Sequence, residues 1–178
     1  MDANTEQLEA LSSLLDLEEL ELLQASQDRQ RKLRQLTVTP RVAVALCPHC
    51  HQLCQQRHQC YDRTVLDLPL GAYATQLTVR LFQYHCNACD KFFTPRLAAL
   101  AEGAHATERF LTRVAELLKH TDLANAAVWL GVPAKTLEHW YYDYLQRQQR
   151  PSENPAPVVS LGIDELSLKK GTASSASC

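Results

Sequence analysis

No stretch of this chain approaches the roughly 18 consecutive apolar residues that a membrane-spanning helix needs. The N-terminus lacks the basic patch and apolar core of an export signal, so a cytoplasmic protein without a membrane partner is expected. A general excess of positive charge is also missing. The net charge is −2 and the pI about 6.4, which excludes a chain that is basic throughout. The first 25 residues hold seven acidic side chains and no Lys or Arg. Residues 6–35 contain neither Gly nor Pro. At 178 residues there is no room for a module at each end of a full-size enzyme domain.

What is present is uneven. Residues 26–150 carry sixteen Lys or Arg against ten acidic residues, so this middle region is the part whose field would draw in DNA. Hydrophobic residues make up 46% and charged residues 21%, the balance of a folded protein. In residues 6–35 the leucines Leu8, Leu11, Leu14, Leu15, Leu17, Leu20, Leu22 and Leu23 recur on a helix-like spacing, acidic first and basic later. The spacing predicts an N-terminal helical arm over residues 1–40, for docking, dimerisation or packing on its own chain.

Six of the seven cysteines fall within 43 residues: Cys47, Cys50, Cys54, Cys60, Cys86 and Cys89. Cys178 stands apart, and the odd total argues against a complete disulfide framework. Cys47-x2-Cys50 and Cys86-x2-Cys89 are knuckles that each present two sulfurs, and the 35 residues between Cys50 and Cys86 let the chain return. Four thiolates suit one tetrahedral Zn²⁺ with no position left for water, hence a structural site on Cys47, Cys50, Cys86 and Cys89. Cys54 and Cys60, with His49, His51, His58 and His85 nearby, leave open an exchanged ligand or a second metal. The simpler alternative makes those two cysteines small loop residues. An iron–sulfur cluster could use the same ligands but has no supporting feature. Short alternating runs around Val42, Val44 and Leu46, around Arg63, Val65 and Asp67, and around Leu77, Val79 and Leu81 give strand, knuckle, hairpin, strand, knuckle. That is the order of a zinc ribbon, assigned to residues 41–97.

Residues 104–148 switch to helical spacing. Phe110, Leu111, Val114, Leu117 and Leu118 define a helix over 106–119. Thr121 or Asp122 caps the next, Gly131 ends it, and Pro133 opens a third. Ala127 is expected at a close helix crossing, with Val132 and Leu137 buried between the helices. Ala134, Lys135, Thr136 and His139 are left on the start of a recognition helix, where phosphates and base edges are reached in a helix-turn-helix. The bland alternative is a hairpin that only packs, and Glu138 and Asp143 oppose phosphate. Trp140, Tyr141 and Tyr144 share a face and read as a seam rather than a base-stacking surface. Residues 149–157 read as a linker, and 158–163 as a strand ending at Asp164. Residues 171–178 have no pattern. By spacing alone, Asp164 is a strand end before a turn. The expected class is α+β: a small zinc ribbon, then a helix-turn-helix, with an N-terminal helix and an orphan C-terminal strand.

Three stretches in order resemble the N-terminal part of bacterial insertion-sequence transposases with a zinc-binding domain ahead of a DDE catalytic domain. Cys47-Pro48-His49-Cys50 resembles the opening knuckle. Tyr61 to Gly71 resembles the R-x-x-x-D-L-P-x-G hairpin. Leu161 to Gly171 resembles G-I-D-E-x-x-x-[RK]-[RK]-G, the start of the catalytic domain. The resemblance implies that Asp164 matches the first acid of a triad that holds Mg²⁺ in an intact member. It implies double-stranded DNA, the terminal inverted repeats, as partner, with a second copy or an intact transposase as protein partners. His51 departs from the glycine usual after the knuckle. After residue 171 the pattern of the later catalytic acids is missing, so a truncated, catalytically incomplete transposase with a remnant Asp164 is expected. A zinc-containing interaction module and a non-functional remnant are the alternatives.

Overall fold

The structure, a computed structural model, describes residues 11–13 and 15–148. All of them belong to one compact unit. The expected linker at 149–157, the strand at 158–163, Asp164 and the tail lie outside the described residues.

The fold is α+β. Seven strands come first: β1 (Leu20–Asp28), β2 (Leu33–Pro40), β3 (Ala45–Leu46), β4 (Leu53–Cys54), β5 (Arg57–Leu70), β6 (Tyr73–Cys86) and β7 (Lys91–Phe93). Three helices follow: α1 (Glu108–Leu117), α2 (Leu123–Leu130) and α3 (Ala134–Gln148). The main sheet runs β1-β2-β6-β5, with β7 paired to the far end of β6. β2 and β6 are parallel, and the other pairs of this sheet are antiparallel.

The expected N-terminal helix is corrected here. Residues 11–13 and 15 are helical, but 20–28 and 33–40 are strands of an antiparallel hairpin. Leu20 and Leu22 are buried and alternate with exposed Glu21 and Leu23, a period of two. The turn forms without Gly or Pro. The Asp28 carboxylate accepts from the Gln30 and Arg31 amides at 2.9 and 3.0 Å, and Lys32 adopts φ +49°. An aspartate side chain thus does what a turn glycine would otherwise permit.

The strands around the knuckles are largely as expected, though Val42 and Val44 fall outside β3. The ribbon is not a free-standing domain over residues 41–97. Its two long strands, β5 and β6, run on into the sheet with β1 and β2. Leu20, Leu22, Leu36, Val38, Val65, Leu77, Val79 and Leu81 make one buried cluster there. Each such side chain contributes about 1.5–3 kcal/mol when fully buried.

The helices pack around Phe110, Leu111, Val114, Ala126, Val132, Leu137 and Trp140, with Leu66 and Leu68 of β5 against them. Residues 105–107 lie along β5: the Leu66 amide donates to the His105 carbonyl, and the Thr107 amide to the Leu66 carbonyl, each at 2.9 Å. This covers part of an otherwise open sheet edge.

The caps follow the sequence closely. The Asp122 carboxylate accepts from the Asn125 amide at 2.8 Å, and Gly131 ends α2 at φ +65°. The tight position on α2 is Ala126, fully buried, whereas the sequence reading placed Ala127 there. Ala127 lies one residue further round the helix and is only half-buried.

Candidate metal centre

Two structurally equivalent turns build the cysteine cluster. In the first, the His51 amide donates to the Cys47 carbonyl at 2.9 Å; in the second, the Asp90 amide donates to the Cys86 carbonyl at 2.8 Å. Each turn ends on left-handed backbone, His51 at φ +58° and Asp90 at φ +54°. The residue after each C-x2-C knuckle therefore sits where glycine is least strained. A non-glycine residue there costs about 1 kcal/mol or more. His51→Gly is expected to keep zinc and to raise stability by up to about 1 kcal/mol, read as a higher urea midpoint of the zinc-loaded protein.

The four sulfurs of Cys47, Cys50, Cys86 and Cys89 all lie within 4.8 Å of one another. Cys47 Sγ and Cys89 Sγ are 3.7 Å apart, and Cys50 Sγ and Cys86 Sγ 3.4 Å. Four thiolates about 2.3 Å from one Zn²⁺ would have sulfurs about 3.8 Å apart in a tetrahedron. The cluster thus has the geometry of a structural zinc site. Cys47 and Cys86 are buried, Cys50 and Cys89 half-buried.

The protein prepares this cluster unevenly. Backbone N–H groups, first that of Cys89 and then that of Ala88, stabilise the Cys86 thiolate and lower its pKa to about 6. Burial pushes the Cys89 thiol up to about 12. Cys86 is the thiolate most available as a first ligand, and the raised thiols lose their protons as metal binds.

Cys54 and Cys60 are not part of the group. Cys54 is buried against the cluster, with its thiol directed to the Gln52 carbonyl at 3.6 Å, and its burial raises its pKa to about 11. Cys60 is exposed. Among the described residues, no histidine joins the four-sulfur group. Cys47, Cys54 and Cys86 pack with Ala45, Tyr84 and Phe93, so half of this small core is sulfur.

On the helices, Val132 and Leu137 are buried, as the sequence reading had them. Ala134, Lys135 and His139 are exposed and Thr136 is half-buried. His139 lies 3.3 Å from the Asp143 carboxylate. Trp140 is in the helical core and Tyr144 packs on it, while Tyr142 is exposed.

Sequence reasoning missed what the Tyr61–Gly71 hairpin does. Arg63 donates to the Ala101 and Ala104 carbonyls at 3.0 and 2.7 Å. The buried Asp67 carboxylate accepts from Thr107 Oγ1 at 2.7 Å and forms a bidentate pair with Arg109. Asp67 in turn raises the Arg109 pKa above its ordinary value. Arg109 also reaches the Leu15 carbonyl, and Thr107 caps α1 through the Phe110 amide at 3.3 Å. One carboxylate therefore ties the sheet, the start of the helices and the N-terminal turn together. The motif's Arg and Asp were visible in the sequence, but their partners lie about 40 residues away.

The comparisons with known proteins agree with this geometry. Residues 43–89 match the family described as the zinc-finger of transposase IS204/IS1001/IS1096/IS1165. The transposase for insertion sequence element IS1001 from Bordetella parapertussis is 27% identical over 132 residues, 74% of this chain and 32% of that protein. The chain thus spans about a third of the length of that relative. No solved structure matches. The knuckles belong to a zinc-ribbon domain related to those of IS1001-type transposases.

Proposed function

We propose that the chain is a DNA-binding module that recognises the terminal inverted repeats of an insertion sequence. Zinc on Cys47, Cys50, Cys86 and Cys89 holds its ribbon, and α3 is its recognition helix. The observation that carries this reading is the start of α3. Leu137 and Trp140 anchor the helix, while Ala134, Lys135, Thr136 and His139 stand clear of the core just after the Gly131 turn. The N-terminal end of such a helix is the part that enters a major groove. Lys135 and His139 serve phosphates or base edges, and Thr136 either. Strand cutting and joining is the work of a complete DDE site. Of that site the sequence offers Asp164, which lies outside the described residues.

The test is selection from a random-sequence duplex library on the zinc-loaded chain, followed by anisotropy with the enriched duplex. Replacing both Lys135 and His139 by alanine is expected to weaken binding at least tenfold and to flatten its salt dependence. No enrichment, or unchanged binding by the double variant, would remove α3 from the interface.

One observation favours a second reading, that of a protein-interaction module. Val128 and Trp129 on α2 are 83% and 82% exposed. Large apolar side chains this open commonly mark a protein contact. A chain that self-associates in sedimentation yet retains no duplex would support it.

A further inference from the structure

One face of the sheet changes character along its length. On β6, Leu77, Val79, Leu81, Gln83 and His85 alternate onto the same side. The first three are buried in the main core. Beyond them the face opens. By register Tyr61 and Gln59 of β5 lie opposite Leu81 and Gln83, and Phe92 of β7 lies opposite His85. Directly paired residues point to the same side, so Tyr61, Gln59, Gln83, His85 and Phe92 form one surface at the ribbon tip. Its other side holds Tyr84, Cys86 and Phe93, packed into the cysteine cluster.

The outer surface is made of rings and amides rather than aliphatic side chains. His85 and Phe92 stack at 4.6 Å with 25° between planes. The register of β5 shifts between Arg57 and Gln59, and His58 at that irregularity brings its ring to 4.6 Å from Phe92. His85 is held in turn by Asp90 at 2.8 Å. Three flat rings stand in a row, with Phe92 51% exposed.

The surrounding charge suits a polyanion. Residues 29–61 contain six Lys or Arg and no acidic residue. Asp62 and Asp90, the acids nearest the tip, are paired with Arg80 and His85. Arg57 and Lys91 are exposed, and among the described residues no ion pair with a carboxylate engages either.

We propose that this face, centred on Phe92 with His58 and His85, is a stacking surface for an unpaired nucleic-acid strand. Bases in a duplex are already stacked on one another, whereas an unpaired strand offers its ring faces. Aromatic side chains beside cations bind such strands with little regard to sequence. The surface shares no residue with the start of α3, so the two readings fail independently.

The experiment is fluorescence anisotropy of the zinc-loaded chain with labelled dT15, rU15 and a 20-base-pair duplex at low salt. The wild type is expected to bind dT15, rU15 or both. Phe92→Ala is expected to weaken that binding roughly tenfold, and Phe92→Tyr to retain it, with zinc content by native mass spectrometry the same in all three proteins. The relative affinities for dT15 and rU15 identify the preferred sugar. The Lys135/His139 double variant should keep its single-strand affinity. Absence of binding to both single strands, or equal binding by wild type and Phe92→Ala, would overturn the proposal. Loss of single-strand binding in the Lys135/His139 variant, with Phe92→Ala unaffected, would do the same and move the contact to α3.

Discussion

Stripping zinc with a chelator, or replacing Cys47 or Cys86 by alanine, is expected to unfold the ribbon tip and leave the sheet standing. A structural zinc contributes about 10–16 kcal/mol in peptides that fold only around it. The small core at the tip has nothing comparable to offer, since Cys47, Cys54 and Cys86 are half of its buried members. The main sheet is different. Leu36, Val38, Leu77 and Val79 are buried in a cluster that contains no cysteine. Hydrogen exchange should therefore show residues 45–54 and 84–93 losing protection while 74–79 keep theirs. Native mass spectrometry should show one zinc per chain, absent from both variants. Acidification should release the metal as well, because each thiolate must take back a proton. Collapse of protection throughout would mean that the tip and sheet form one cooperative unit.

The second large effect is expected at Asp67. Its side chain is fully buried, while that of Arg109 is a quarter exposed. Asp67→Ala would leave the guanidinium without its carboxylate and free the Thr107 hydroxyl from its acceptor. Removing one member of a buried pair typically costs about 3–5 kcal/mol. That is a large share of the about 5–15 kcal/mol that holds an ordinary domain together. Urea denaturation should show the drop in midpoint. Asp67→Asn should cost less, since an amide still fills the space and accepts one hydrogen bond. Zinc content should be unchanged in any folded fraction, because the cysteine cluster draws on different residues. An Asp67→Ala protein as stable as wild type would show that the pair merely compensates its own desolvation.

The cysteine cluster was legible because its chemistry is local. Two residues between cysteines suffice to point both sulfurs at one centre. The helix ends were legible for the same reason: Asp122, Gly131 and Pro133 act on their immediate neighbours. The N-terminal leucines were misread because Leu20, Leu22 and Leu23 fit a helical and a strand period alike. Pairing with β2 decided between them, and β2 is reached through a turn that Asp28 and Lys32 make without glycine or proline. A lack of turn residues was therefore no guide to continuity. Asp67 was legible as a motif residue and illegible in its role, since Thr107 and Arg109 are distant in sequence. The exposure of Val128 and Trp129 could not be read either, because α2 is apolar around much of its circumference.

The parallel pairing of β2 with β6 has a consequence for the order of events during synthesis. The β1–β2 hairpin is complete when residue 40 has emerged, but its partner strand begins only at Tyr73. Until then Leu36 and Val38 have no β6 to lie against. Both knuckles exist only once Cys89 has been made, and closing them fixes the ends of β5 and β6 relative to each other. Non-local pairings form slowly because a long loop must close first. Metal capture at the tip shortens that search for the strand the waiting hairpin needs. Zinc availability should then govern how fast the nascent chain matures, and how long an unpaired β2 edge stays open to wrong partners.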